Sequence, residues 1–100
     1  MSVRSNIGSS NELVIAISGR FDFTQVKEFR DAYSEDKQDK AKSFVVDLRE
    51  TEHMDSSALG MLLNMRKHLG DTVSIRIANS RPQIKKILTI SRFDKKFNID

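Results

Sequence analysis

The segment SFVVDLRETEHMDSSALGMLLNMRKHLG, residues 43–70, decides how this chain folds. It opens on SFVVDL, an apolar and β-branched run of strand length, and continues through the polar RETEH, which reads as a turn. Beyond it the period changes. Leu59, Leu62, Leu63, Arg66 and Leu69 fall at i, i+3, i+4, i+7 and i+10, an apolar stripe with one basic interruption, as expected of an amphipathic helix. Gly70 stands where a helix C-cap belongs, and Asp55 or Ser56 caps the other end. Strand, turn and helix in this order form half of a crossover unit.

Working outward, the same grammar recurs. ELVIAISG (12–19) reads as a buried strand ending at a glycine, and a weaker strand over 2–7 is joined to it through the turn-forming Gly8, Ser9, Ser10 and Asn11, giving a hairpin. After GRFDF (19–23), Thr24 is a suitable N-cap for a first helix over 25–35, with Val26, Phe29, Ala32 and Tyr33 along one face; the charged SEDKQDKAK ends it. Phe21 and Phe23 are expected to pack in the core or at its edge. TVSIRIA (72–78) alternates as a third strand. Ser80 and Pro82 open a third helix bearing Ile84, Ile87 and Leu88, and a short terminal strand over 96–99 closes the chain. The order β(β)αβαβα(β) predicts an α/β fold: one domain over residues 1–100, with helices packed on a mixed, mostly parallel sheet of four to five strands.

Composition narrows the chemistry. One hundred residues at 38% hydrophobic content support a single core. The absence of cysteine excludes a thiolate nucleophile, a thiolate metal site and a disulfide framework, and suits the cytoplasm. MSVRSNIGSSNE lacks the apolar centre of a signal peptide, and no apolar run approaches membrane-spanning length, so the chain is expected to be soluble. The net charge of +3 is spread among neighbouring acids, as in Lys27-Glu28 and Arg30-Asp31, which describes a solvated mixed surface. Lys85, Lys86, Arg92, Lys95 and Lys96 form the best candidate basic stripe. It is modest for a nucleic-acid binder, and no nucleic-acid or membrane partner is expected.

In open α/β sheets, sites gather where strand ends hand over to helix N-termini, and Asp55-Ser56-Ser57 occupies such a place. Capping explains one of these residues, because Asp and Ser side chains accept hydrogen bonds from unpaired first-turn N–H groups. A hydrolase would need His53 or His68 as base, but the G-x-S-x-G elbow is missing and adjacency alone makes no triad. A metal site built from Glu52, His53 and Asp55 lacks ligand spacing. A phosphoserine has firmer physics. With Asp55 as cap, Ser56 is the first helical residue, and the partial positive charge of the helix end favours a phosphate there.

GRFDF, FVVDLRETEHMDSSALGMLL and SRPQIKKILTISRFDKKFNI together make the chain, over about residues 12–99, resemble the STAS domain of bacterial anti-sigma factor antagonists. Within that family it looks like the small single-domain regulators of biofilm formation and motility in gamma-proteobacteria. The resemblance implies a partner-switching transcription regulator, not an enzyme and without cofactor or metal. Its unphosphorylated form would bind an anti-sigma factor or a related serine kinase, phosphorylation of Ser56 would weaken that binding, and a PP2C-type phosphatase would restore it. The family's phosphoacceptor is the first serine after the motif aspartate, which selects Ser56 over Ser57. Many members carry glycine where this chain has Ala58, a better helix former by about 1 kcal/mol, so a firmer first turn is expected. Asp55, Ser57, Met61, Asn64 and Met65, with Arg20, Phe21 and Asp22 from the neighbouring strand end, are the candidate partner-binding residues. The alternative reading is a nucleotide sensor, since some STAS domains bind nucleotides and a helix N-terminus suits phosphate oxygens; the chain has no Gly-rich P-loop.

Overall fold

The computed structural model describes residues 3–8, 11–34 and 43–100. Part of the expected hairpin turn (9–10) and most of the charged run after the first helix (35–42) lie outside the described residues. The elements are β1 (Val3–Ile7), β2 (Glu12–Ile17), β3 (Gly19–Phe21), α1 (Val26–Ser34), β4 (Ser43–Asp47), β5 (Thr51–Met54), α2 (Ser56–Leu69), β6 (Ser74–Ala78), α3 (Pro82–Ile90) and β7 (Asn98–Ile99). One 3-10 turn, Phe23–Gln25, leads into α1, and another, Phe93–Lys95, follows α3.

The main sheet runs β1-β2-β4-β6-β7, with β1 antiparallel and the other pairings parallel. It is the expected mixed α/β sheet, at the five-strand end of the predicted range. Each crossover lands on the next strand in the same direction, so right-handed connections bring the three helices of the described residues to one face. Register and burial agree. Leu13, Phe44 and Ile75 are cross-strand partners, as are Ile15, Val46 and Ile77, and all six share one core with Phe29, Tyr33, Leu62, Met65, Ile84 and Leu88.

Three local expectations are corrected. RETEH is not only a turn: residues 51–54 form β5, which pairs in parallel with β3 in a separate two-stranded ribbon. The N-cap is Asp22 instead of Thr24: it caps the 3-10 turn that leads into α1, through a capping box in which the Asp22 N–H donates to the Gln25 side chain, so the α-helix proper begins at Val26. In α2 the buried side chains are Ala58, Met61, Leu62, Met65 and Arg66, while Leu63 is 39% exposed and Leu59 and Leu69 are only partly buried. The stripe is thus rotated toward the methionines. Their unbranched side chains fill the space over the sheet that the leucine pattern assigned to Leu59 and Leu63.

Two polar residues inside the protein hold these parts together. Thr51 is fully buried, and its hydroxyl donates to the Ile17 carbonyl at 2.7 Å, tying the ribbon to the end of β2. Gly19, at φ 75°, makes the turn between β2 and β3 that this link requires, and its N–H donates to the Glu50 carbonyl at 2.9 Å. Arg66, the basic interruption of the stripe, is 9% exposed and forms no ion pair with any described residue. Its guanidinium donates to the carbonyls of Lys96 (2.9 Å), Gly70 (2.8 Å) and Val73 (2.7 Å) and lies 5.3 Å from the centre of the Phe97 ring. One side chain therefore closes the end of α2, the loop into β6 and the C-terminal segment.

Arg66→Ala should lower stability by about 3 kcal/mol in urea unfolding, since charge-assisted bonds are lost and buried carbonyls are left unpaired. Arg66→Lys should recover less than half of that loss, because an ammonium lacks the planar fork that reaches all three carbonyls. Thr51→Val, nearly the same shape, should cost about 1–2 kcal/mol and raise amide exchange in β3 and β5 more than in β4 and β6.

Candidate functional site

The β3–β5 ribbon pairs Phe21 with Met54, both buried. The residues that follow, Asp22 and Asp55, therefore leave the ribbon side by side, both in extended backbone conformation and both as caps. Their local chemistry is the same. Asp22 Oδ1 accepts from the Thr24 N–H at 3.0 Å and from the Thr24 hydroxyl, and Asp55 Oδ1 accepts from the N–H groups of Ser57 (3.0 Å) and Ala58 (3.2 Å) and from the Ser57 hydroxyl (2.6 Å). Both aspartates are held below the ordinary carboxylate range. The hydroxyl bond from Ser57 is the main cause for Asp55, and that from Thr24 for Asp22; the negative charge of Asp22 pushes Asp55 slightly back up.

This arrangement separates the two serines. Ser57 is half-buried and its hydroxyl is committed to the cap. Ser56 is exposed at the first position of the 14-residue α2, and its hydroxyl has no hydrogen-bond partner among the described residues. Ala58, at the position where glycine was the family expectation, is fully buried and gives its N–H to the cap. Around the mouth stand Arg20, 3.4 Å from Asp22 in an exposed ion pair, and Phe23, which is 68% exposed. Phe21 packs in the core as expected, whereas Phe23 corrects the expectation of packing in the core or at its edge. Strand alternation from Phe21 would bury it, but the chain turns at Asp22 and the 3-10 turn presents it to solvent.

The other expected contact residues divide. Asn64 is exposed, whereas Phe21 and Met65 are fully buried and Met61 is 5% exposed, so these three support the surface from beneath. The hydrolase geometry does not assemble around His68. Twelve residues along α2 place it about 18 Å from Ser56, where its ring packs edge-on against Tyr33. Among the described residues no group of three or more His, Asp or Glu side chains stands together to hold a metal ion, and no helix is long and apolar enough to cross a membrane. Lys85, Lys86, Arg92, Lys95 and Lys96 are all exposed, on α3 and the turn that follows it.

Among the described residues, a five-stranded mixed sheet with three helices on one face, and an exposed serine directly after the aspartate cap of the second helix, define an α/β domain of the STAS type. The STAS domain family model matches residues 3–100, and the chain belongs to that family. It is 49% identical over 89 residues to a STAS-domain containing protein of Pseudomonas aeruginosa strain UCBPP-PA14, an alignment covering 88% of this chain and 87% of that one. In fold it is similar to the anti-sigma factor antagonist SpoIIAA in its unphosphorylated form (TM-score 0.76, 19% identity, 98% of this chain and 86% of that chain). The phosphorylated form of SpoIIAA from Bacillus gives TM-score 0.75 at 19% identity, covering 98% and 90%. An anti-sigma factor antagonist from Mycobacterium paratuberculosis gives 0.80 at 20% identity, covering 98% and 85%.

The caps generate a titration test. A carboxylate whose folded pKa is depressed adds stability above its unfolded value, near 3.9, and that stability is lost as pH falls through the lower folded value. Stability should therefore drop on acidification below about pH 4, and the drop should shrink in Asp55→Asn, which keeps a capping oxygen but no longer titrates. Carboxyl NMR should show the Asp55 midpoint moving up in Ser57→Ala and down in Asp22→Asn.

Proposed function

We propose that this protein is a phosphorylation-controlled partner switch without catalytic activity of its own. Unphosphorylated, it binds an anti-sigma factor or a related serine kinase in the cytoplasm through the mouth of α2. Phosphorylation of Ser56 weakens that binding, and a PP2C-type phosphatase reverses it. The observation that carries this reading is the contrast between the serines: Ser56 is exposed with a free hydroxyl, while Ser57 is bonded to Asp55. Membership of the STAS family and the existence of SpoIIAA in unphosphorylated and phosphorylated forms support it.

The electrostatics give the switch its sign. The α2 N-terminus carries roughly half a positive charge, so a phosphate on Ser56 is tolerated by the fold. Asp22 and Asp55 already place two carboxylates at the same mouth. A phosphate adds a further charge of about −1.5 to −2, with a hydration shell that a docked partner must strip away. The cost falls on the complex more than on the free protein. Arg20, Asp22, Phe23, Asn64 and the exposed first turn of α2 form the contact surface on this reading, with Asp55 and Ser57 shaping it.

Protein phosphorylated at Ser56 should bind the partner captured from its native cytosol at least about tenfold more weakly than unmodified protein, a difference of about 1.4 kcal/mol. Ser56→Ala should bind like unmodified protein and accept no phosphate, while Ser57→Ala should still be phosphorylated. Equal affinity of the two forms by calorimetry, or phosphate found only on Ser57, overturns the proposal.

A further inference from the structure

Away from the mouth of α2, a cavity of about 500 Å³ lies between α1 and α2. Its floor is apolar: Phe29, Tyr33 and Met61 line it and are all nearly inaccessible to solvent. Its rim is Arg30, Asn64 and His68, all exposed. The polar groups here are uncommitted. Tyr33 is 3% exposed as a residue, and its hydroxyl, which solvent still reaches, bonds to none of the described residues. The Arg30 guanidinium forms no ion pair, and the Asn64 amide and His68 imidazole form no hydrogen bond, with any described residue. The lining carries Arg30 as a fixed cation and no carboxylate.

We propose that this cavity binds a small organic anion, an apolar body of one or two rings seated on Phe29, Tyr33 and Met61 with its carboxylate facing Arg30 and the Tyr33 hydroxyl. The volume falls in the range of small-molecule sites, roughly 300–1,000 Å³, and the mixture of apolar floor and few convergent polar groups is that of such sites. Dimensions select a small molecule over a docked helix. The lining runs from Val26 to Ser34 on α1 and from Met61 to His68 on α2, only about 10–12 Å along each axis. Charge selects an anion, since a cation would meet Arg30 without a counter-charge, while a carboxylate accepts a charge-assisted bond. Burial pushes the Tyr33 hydroxyl above the ordinary phenol range despite the opposing pull of Arg30, so at neutral pH it remains a donor.

Naphthoate is the probe, with naphthamide as its uncharged counterpart, each titrated into the full chain and followed by amide correlation NMR. Expected is saturable binding of naphthoate below about 1 mM, with the largest shifts in α1 and the C-terminal half of α2 and at least about tenfold preference over naphthamide. Arg30→Gln, an exposed substitution that leaves the core intact, should erase the preference, and Tyr33→Phe should weaken naphthoate severalfold. No saturable binding, equal binding of acid and amide, or an unchanged preference in Arg30→Gln overturns the proposal. Ser56→Ala should leave naphthoate binding unchanged, which keeps this test separate from that of the switch.

Discussion

The bond from the buried Thr51 hydroxyl to the Ile17 carbonyl is short, local in space and long in sequence, and the geometry of the α2 mouth depends on it. It fastens β5 to the end of β2, where Gly19 turns the chain into β3. The ribbon formed in this way is too small to be stable alone, since an isolated pair of short strands is marginal in water. Held there, it presents two neighbouring strand ends in register. Asp22 and Asp55 are adjacent because Phe21 and Met54 are paired beneath them.

That adjacency creates a balanced site. Each aspartate is stabilised as an anion by a hydroxyl two residues on, and each offsets the unpaired N–H groups of a turn beginning at the same edge. Their mutual repulsion opposes this, visible in the upward push of Asp22 on Asp55. The mouth therefore has no spare positive charge, and beside Ser56 the two carboxylates outweigh the roughly half charge of the helix end. A group placed there changes the field seen from outside more than it changes the stability of what lies beneath.

How much of this was legible in the sequence follows from what holds each element. β2, β4 and β6 are apolar, β-branched runs in a buried sheet, and their positions follow from composition. β3 and β5 contain Arg20, Glu52 and His53 at exposed positions and are strands because they pair, which propensity does not report. The cap at Asp22 had a signature, Asp followed three residues later by Gln25, that Thr24 obscured. On α2 the period was right and the phase was not: leucines and methionines are interchangeable as apolar residues, so periodicity could not say which of the two rows faced the sheet. Asp55-Ser56-Ser57 at a strand-to-helix junction was legible from spacing. The difference between the serines was not, because it resides in one hydrogen bond.

The sheet order has a kinetic side. Leu13 pairs with Phe44 and Phe44 with Ile75, the same stride of about thirty residues twice over, and every other pairing in the main sheet is closer along the chain. No strand must wait for a distant one to arrive. Each strand–helix unit can dock on the edge left by its predecessor, so loop-closure entropy is met in equal, moderate instalments. Among the described residues, the strands outside this march are β3 and β5, which belong to the ribbon. They are well placed to be the last to order and the first to loosen, leaving the mouth of α2 as the most adjustable part of an otherwise stepwise assembly.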